Sequence, residues 1–448
     1  MKSLRLKSVV AIFACALCWG APGGSPSLPS IAAAAPPSSA YVIQNARIVT
    51  VTGPVIERGS VVVEGGKITA VGASVSTPAG ATVIDASGLS VYPGMIDAGT
   101  ALGLAEISSV AGSVDEAEIG DNNANIHVDV AIRADSSHIP VTRVNGITTA
   151  LTEPRGGVIA GTSSLIDLDG WTAKDMIVKS PVAMHINWPG ADARGGEFAS
   201  FGRAERPVVE MRKEADKKID ELRKILNDAK AYADAKDARA KDPSLPKQDL
   251  DLKLEALIPL VRGQMPAIIM ATSERDIKKA IEFAGEMKIK MILSSGVEAY
   301  KVTDLLKAKN IPVLVGPVLR LPEHEDDPYD ASFTNAGILN KAGVKIAFQT
   351  LDSAHVRDLP YHAGMAAAFG LPKDEALKAV TIYPAEILGV ADKVGSIDPG
   401  KIANLIVTDG DPLEIRTQIK YLFIDGRQIP LTSRHTELYD KYKARPKP

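Results

Sequence analysis

At 448 residues the chain is longer than one minimal domain, and 45% hydrophobic against 23% charged residues is the balance of a globular protein rather than a disordered one. A formal net charge of -3 gives no polyanion-binding signal, and 5% aromatic residues leave little for base stacking, so nucleic acid is not an expected partner.

The chain opens on a basic start, Lys2, Arg5 and Lys7, followed by a short apolar core from Val9 to Ala21 and Ala-x-Ala patterns between Ala32 and Ala35. That order reads as an export signal with its linker over residues 1–38. The apolar run is shorter than the ~20 residues a membrane span needs. The expectation is a periplasmic or secreted protein with no membrane partner after signal cleavage. Both cysteines, Cys15 and Cys18, fall inside the signal, so the mature chain is expected to have neither a disulfide nor a thiolate site.

From Tyr41 the pattern changes to short β-branched runs separated by turns: Tyr41–Ile43, Ala46–Val51, Ser60–Val63 and Lys67–Val71, with Gly65-Gly66 between the last two. A matching group lies at the far end, at Ala403–Val407 and Tyr421–Ile429. Residues 39–90 and 391–432 therefore predict one small composite β-sandwich domain built from both chain ends, with 433–448 as a tail.

Residues 91–390 alternate short apolar runs with helical stretches. Strands are predicted at Val91–Asp97, Ile147–Leu151, Ser164–Leu168, Val182–Ile186, Ala267–Met270, Met291–Leu293, Val313–Val315 and Val344–Phe348. Helices are predicted at Glu298–Lys307, Ser332–Lys341, Asp374–Val380 and Pro384–Leu388. About eight strand–helix units predict an α/β fold with a TIM-like (β/α)8 barrel. An inserted region, 205–262, breaks the rhythm. Within it Val209–Ala240 is highly charged, with Met211, Ala215, Ile219, Leu222, Leu226 and Ala229 on one helical face. It reads as a solvated helix on the barrel surface, with a lid or a dimer contact as the alternatives. The stretch Gly156–Gly161 lacks the Lys-Ser/Thr of a phosphate loop and reads as a turn between strands.

Several runs together resemble a known family. Gly66-Lys67-Ile68-Thr69-Ala70-Val71-Gly72, then Pro93-Gly94-Met95-Ile96-Asp97, then Thr381–Ala385 and Gly395-Ser396-Ile397-Asp398-Pro399-Gly400-Lys401 occur in the order and at the separations of the amidohydrolase superfamily, imidazolonepropionase-like members in particular. The resemblance covers nearly the whole mature chain. It implies hydrolysis of a non-peptide carbon–nitrogen bond in an amide, lactam or cyclic imide, and a divalent metal at the C-terminal rim of the barrel. It also implies a small-molecule substrate and two histidines in Asp-x-His-x-His on the first barrel strand.

Here Asp97 is followed by Gly99 and Ala101 at those histidine positions. The resemblance places Met270 and Ser295 where histidines stand on the fifth and sixth strands, and no lysine, Lys179 included, is assignable as the carboxylated one. In Thr350-Leu351-Asp352 a Leu intrudes into the family's Thr-Asp, so Asp352 reaches the centre only through a bulge or beyond the strand's end. Asn404 stands where the family usually has Asp. No metal ligand is assigned, and the metal centre is expected to be lost. The alternative to an active hydrolase is a pseudoenzyme, a small-molecule binding or structural protein.

Of seven histidines none forms a His-x-His or His-x3-His pair. His185, at the end of a predicted strand, is either a packed histidine or a rim residue. Asp352 and His355 are spaced either for an acid–base dyad or for a loop cap. The candidate catalytic residues are therefore Asp352, His355 and His185. His324 lies in a charged loop, and His127 and His435 read as surface residues. The carboxylates from Glu106 to Asp121 form either an ordinary acidic loop or, through Glu106 or Asp121, a contact for a cationic group.

Overall fold

A computed structural model describes residues 40–190, 207–324 and 326–446. The export signal predicted over 1–38 lies outside the described residues. Among the described residues no helix is long and apolar enough to cross a membrane.

The strands of both chain ends pair into one eight-stranded sheet. In chain order they are β1 (Tyr41–Ile48), β2 (Ile56–Glu64), β3 (Lys67–Gly72), β4 (Thr82–Asp85) and β5 (Ser90–Pro93), joined by three from the far end. Between the two groups come β6 (Met95–Thr100), β7 (Ile147–Thr152), β8 (Ile159–Thr162), β9 (Ser164–Asp167), β10 (Ile177–Lys179) and β11 (Met184–Asn187). They are followed by β12 (Ala267–Ala271), β13 (Met291–Ser295), β14 (Val313–Val315) and β15 (Ile346–Phe348). The far-end strands are β16 (Leu405–Thr408), β17 (Ile419–Ile424) and β18 (Arg427–Ile429).

The end sheet runs β18-β17-β16-β5-β1-β2-β3, with β4 beside β1. The seam between the two chain ends is the antiparallel pair β5–β16, from Pro93 opposite Leu405 to Ser90 opposite Thr408. Its apolar face holds Ile43, Ile48, Val61, Val91, Leu405 and Phe423, a core of its own. The strands form a single sheet where a sandwich was expected.

The middle strands pair into two further sheets, β10-β9-β7-β6 and β15-β14-β13-β12-β11-β8. The run from β11 to β15 is parallel, as the strand–helix alternation predicts. Both sheets are mixed, however, and neither closes. The departure from eight parallel strands is local to residues 147–187, where β9 runs antiparallel to β7 and β8 antiparallel to β11. A parallel return needs a crossover of a dozen or more residues, and only 11 residues separate β7 from β9. Part of the glycine-rich stretch read as a turn, Ile159–Gly161, is β8 itself.

Ile96, Leu151, Ile268, Ile292, Leu314 and Ala347, from strands of both middle sheets, share one buried apolar cluster. The charged insertion forms a helix at Val208–Lys241, one residue longer at each end than its sequence pattern indicates. Ala215, Ile219, Leu222, Leu226 and Ala229 are buried along it, and ion pairs Arg223–Glu286 (2.8 Å) and Lys279–Asp216 (2.8 Å) tie it to the helix Glu274–Met287.

Candidate functional site

Beyond the apolar cluster, toward the C-terminal ends of the strands, the side chains turn polar. β6 is buried along its whole length. Its Asp97 is fully buried and has both oxygens engaged: Oδ1 accepts from the backbone N–H of Gly99 (3.0 Å) and Thr350 (3.2 Å), and Oδ2 from the Thr350 hydroxyl (2.6 Å). Burial pushes the carboxyl up to about 7 against the pull of those hydrogen bonds.

Gly99 faces the space that side chains from elsewhere occupy. A Cβ there would stand 2.6 Å from Gln349 Oε1 and 3.1 Å from Glu153 Oε2. Gln349 is itself fixed: its amide nitrogen donates to the Ser294 hydroxyl (3.1 Å) and to the Leu314 carbonyl (3.0 Å).

Glu153 follows the last residue of β7 and is 1% exposed. Its Oε2 lies 3.5 Å from Nδ1 of His185, on β11, which is 5% exposed. Neither carboxyl oxygen of Glu153 has a hydrogen-bond partner, and His185 Nε2 has none. Burial pushes Glu153 up to about 8, with Arg155 pulling it down and Asp97 adding to the rise. Burial pushes His185 down to about 3. Both shifts disfavour charge, so near pH 7 the contact joins a neutral acid to a neutral imidazole and is not an ion pair. Sequence reasoning singled out His185 but missed Glu153, whose setting Thr152-Glu153-Pro154 reads as an ordinary polar loop.

Asp352 and His355 are brought together, but at the surface. β15 ends at Phe348, and Leu351 takes a φ of 52°, so the inserted Leu is absorbed in a turn beyond the strand. The turn is tied to β6, because Leu351 N–H donates to the Gly99 carbonyl (3.0 Å) and Ala101 N–H to the Asp352 carbonyl (3.1 Å). The Asp352 carboxylate accepts from the N–H of Ala354 (2.7 Å) and His355 (2.9 Å) and lies 3.3 Å from His355 Nδ1. Burial alone would raise Asp352, but those contacts outweigh it and keep it ionised. The His355 side chain is 61% exposed. This is the capped loop that the spacing allows.

His362 is buried nearby and accepts a hydrogen bond from Val318 N–H at Nδ1 (2.9 Å). His324 Nε2 sits 3.7 Å from Glu298, and His127 and His435 are exposed. The acidic loop is held by this chain's own cations and dipoles. Asp121 pairs with Lys218 (3.3 Å) and Glu116 with Arg155 (3.6 Å), while Glu106 accepts from Ser137 N–H (3.3 Å). Lys179 donates to the Leu388 carbonyl (2.8 Å). A groove lined by Gln264, Pro266, Ile281, Lys290, Asn310 and Ile387 opens at the N-terminal ends of β12, β13 and β14 and contains none of these groups.

A catalytic metal of the kind the resemblance implies needs about three convergent protein donors. Gly99 and Ala101 supply no donor atoms, and Asp97 has its oxygens committed to Gly99 and Thr350. Among the described residues no three His, Cys, Asp or Glu side chains are grouped so as to hold one ion. The donor set does not fit such a metal. What it offers is a buried acid and a buried imidazole side by side.

The comparisons agree with the fold. The amidohydrolase family model matches residues 267–429. The amidohydrolase tasK of Hapsidospora irregularis is 25% identical over 406 residues, covering 82% of this chain and 39% of the relative. An N-substituted formamide deformylase of Arthrobacter pascens is 42% identical over 59 residues, 12% of this chain and 11% of the relative. The chain thus spans less than half the length of the curated relatives it matches. Among solved structures, an amidohydrolase from Thermotoga maritima MSB8 superposes with a TM-score of 0.75 at 26% identity, over 87% of this chain and 99% of that one. Residues 267–429 thus carry an amidohydrolase family domain, and the chain is similar to amidohydrolases over most of its length.

Proposed function

We propose that this protein hydrolyses a non-peptide carbon–nitrogen bond in a small amide, lactam or cyclic imide, at the C-terminal ends of the middle strands, without the family's metal. On this reading the two middle sheets are an opened form of the family's barrel, and the protein acts in the periplasm or outside the cell. The observation that carries the proposal is the buried Glu153–His185 contact, 3.5 Å across, beside Gly99. A carboxyl and an imidazole can move protons to and from a reacting amide without a Lewis acid.

A second reading is favoured by the depth of the same pair. Residues 1% and 5% exposed also suit a protein that binds a small molecule without turning it over. One experiment separates the two. The natively purified full chain is analysed for zinc, manganese and iron, stripped with chelator, and assayed on amides, lactams and cyclic imides. Turnover by the stripped protein supports the proposal. Stoichiometric metal whose removal abolishes turnover overturns it. Saturable binding with no turnover selects the second reading.

A further inference from the structure

The amidohydrolase resemblance gives no role to a residue directly after the second middle strand, and Glu153 is the most deeply placed ionisable group there without a hydrogen-bond partner. A buried polar atom left unpaired costs free energy, so each one calls for a reason. Three such atoms gather here: both carboxyl oxygens of Glu153 and Nε2 of His185. Glu153 lies just past the end of β7, where α/β folds place their chemistry, and His185 faces it from within β11. Gln349 and Ser294 sit alongside with their own hydrogen bonds satisfied by each other and by Leu314. They are a fixed wall, whereas the acid and the imidazole keep unpartnered atoms, as does Arg155 at Nε.

We infer that Glu153 and His185 are a catalytic acid–base pair, Glu153 protonating the leaving nitrogen and His185 deprotonating the attacking water, joined by the Nδ1–Oε2 contact. The inference rests on the hydrolase reading above. The step balances. In the tautomer that can accept at Nε2, His185 begins with its proton on Nδ1, 3.5 Å from Oε2 but not yet hydrogen-bonded to it. Water oxygen bonds to the carbonyl carbon while Nε2 takes one of its protons. The carbon–nitrogen bond then breaks, its electron pair leaves with the nitrogen, and Glu153 supplies that nitrogen with a proton. An acid and an amine are released, leaving a carboxylate beside an imidazolium. The imidazolium returns its Nδ1 proton to Oε2 across the 3.5 Å contact, and exchange of the Nε2 proton with water restores the starting tautomer. Burial keeps Glu153 protonated and His185 neutral near pH 7, the starting protonation states of the step. The charged groups that act on Glu153 are Asp97 and Arg155.

The test uses the full chain and its Glu153→Gln, Glu153→Asp and His185→Gln variants. Each is assayed from pH 5 to 9 on whichever amide the wild type turns over, with thermal melting as the fold check. The pair predicts a kcat loss of about 10²–10⁴-fold in Glu153→Gln with KM little changed. It also predicts a basic limb near pH 8 in the wild type that moves in Glu153→Asp. Wild-type turnover with kcat preserved in Glu153→Gln overturns the pair and leaves the hydrolase reading standing. If the wild type turns nothing over, the hydrolase reading falls and the catalytic pair with it. Where there is turnover, a protonated-carboxyl infrared band that survives at pH 7 and disappears in Glu153→Gln supports the pair, and absence of that band overturns it.

Discussion

The amide oxygen of Gln349 stands 2.6 Å from the point a Cβ on Gly99 would occupy. Glycine at 99 therefore makes room for Gln349, and its φ is not in the left-handed region. Gly99→Ala is expected to destabilise the fold by about 1–3 kcal/mol through overpacking. In a double-mutant cycle read by urea denaturation, Gln349→Ala should recover part of that loss, with a coupling energy of about 0.5–3 kcal/mol. Additive effects would mean that the side chain finds another way out, and that Gln349 is not what excludes a residue at this position.

The buried carboxyls give stability a definite dependence on pH. Glu153 is raised to about 8, and Asp97 and Asp167 to about 7, each chiefly by burial. Between the ordinary carboxylate range and those values the native state holds protons that the unfolded chain has released, so stability falls as pH rises. His185, lowered to about 3, and His362, to about 4, act in the opposite sense, but only below about 6.5, where the unfolded imidazole takes up a proton. From pH 6.5 to 8 the carboxyls alone remain, and the unfolding free energy should decline. The slope is at most about 1.4 kcal/mol per pH unit for each group. Glu153→Gln should flatten that decline, and an unchanged slope in the variant would show that Glu153 is already ionised at neutral pH.

Much of the architecture is legible in the residues, and the limits are physical. Met291–Leu293, Val313–Val315 and Ala267–Met270 read as strands because short apolar runs with turn residues at their ends suit a sheet buried on both faces. The helix Val208–Lys241 reads from its one buried stripe. The antiparallel β8 does not, because Gly156, Gly157 and Gly161 look like punctuation. Gly161 sits in the strand at φ 121° while its partner strand supplies His185 opposite. Asp352 and His355 stand out in the sequence because local spacing alone brings them together. The Glu153–His185 contact joins residues 32 positions apart, and the burial that makes it chemical comes from β6, β11 and the residues after β15. No local pattern encodes that.

The capped loop at Asp352 separates two roles that the sequence leaves joined. Its carboxylate holds two backbone N–H groups, at 2.7 and 2.9 Å. Asp352→Ala should therefore cost about 1 kcal/mol of stability, the worth of such bonds. His355 is exposed and adds only a screened surface contact, so His355→Ala should stay within about 0.5 kcal/mol of the wild type. On any substrate the wild type turns over, His355→Ala should keep kcat within about threefold, well short of the loss that follows removal of a general base. A fall of two orders of magnitude or more would return the rim dyad to the chemistry and displace Glu153 from it.

Asn404 explains itself through its neighbours. Its amide nitrogen donates to Asp167 Oδ1 (2.7 Å) and Thr149 Oγ1 (3.1 Å), and its oxygen accepts from Asp425 N–H (2.8 Å), all at the join between the end sheet and β7–β9. A carboxylate at 404 could not donate. Beside Asp167 it would set two acids within hydrogen-bonding distance, and they would have to share a proton. Asn404→Asp is therefore expected to cost about 1–3 kcal/mol, the penalty for a buried group deprived of its partner. The cost should be smaller at pH 5 to 7, where Asp167 is raised to about 7 and keeps a proton in both proteins, and should grow toward pH 8, where only the variant's paired acids retain a proton that the unfolded chain has lost. Adding Asp167→Asn to that variant restores one donor facing one acceptor and should recover most of the stability at pH 8. A loss that is the same at pH 5 and pH 8, or that the second change deepens, would show that packing rather than the shared proton selects asparagine at this seam.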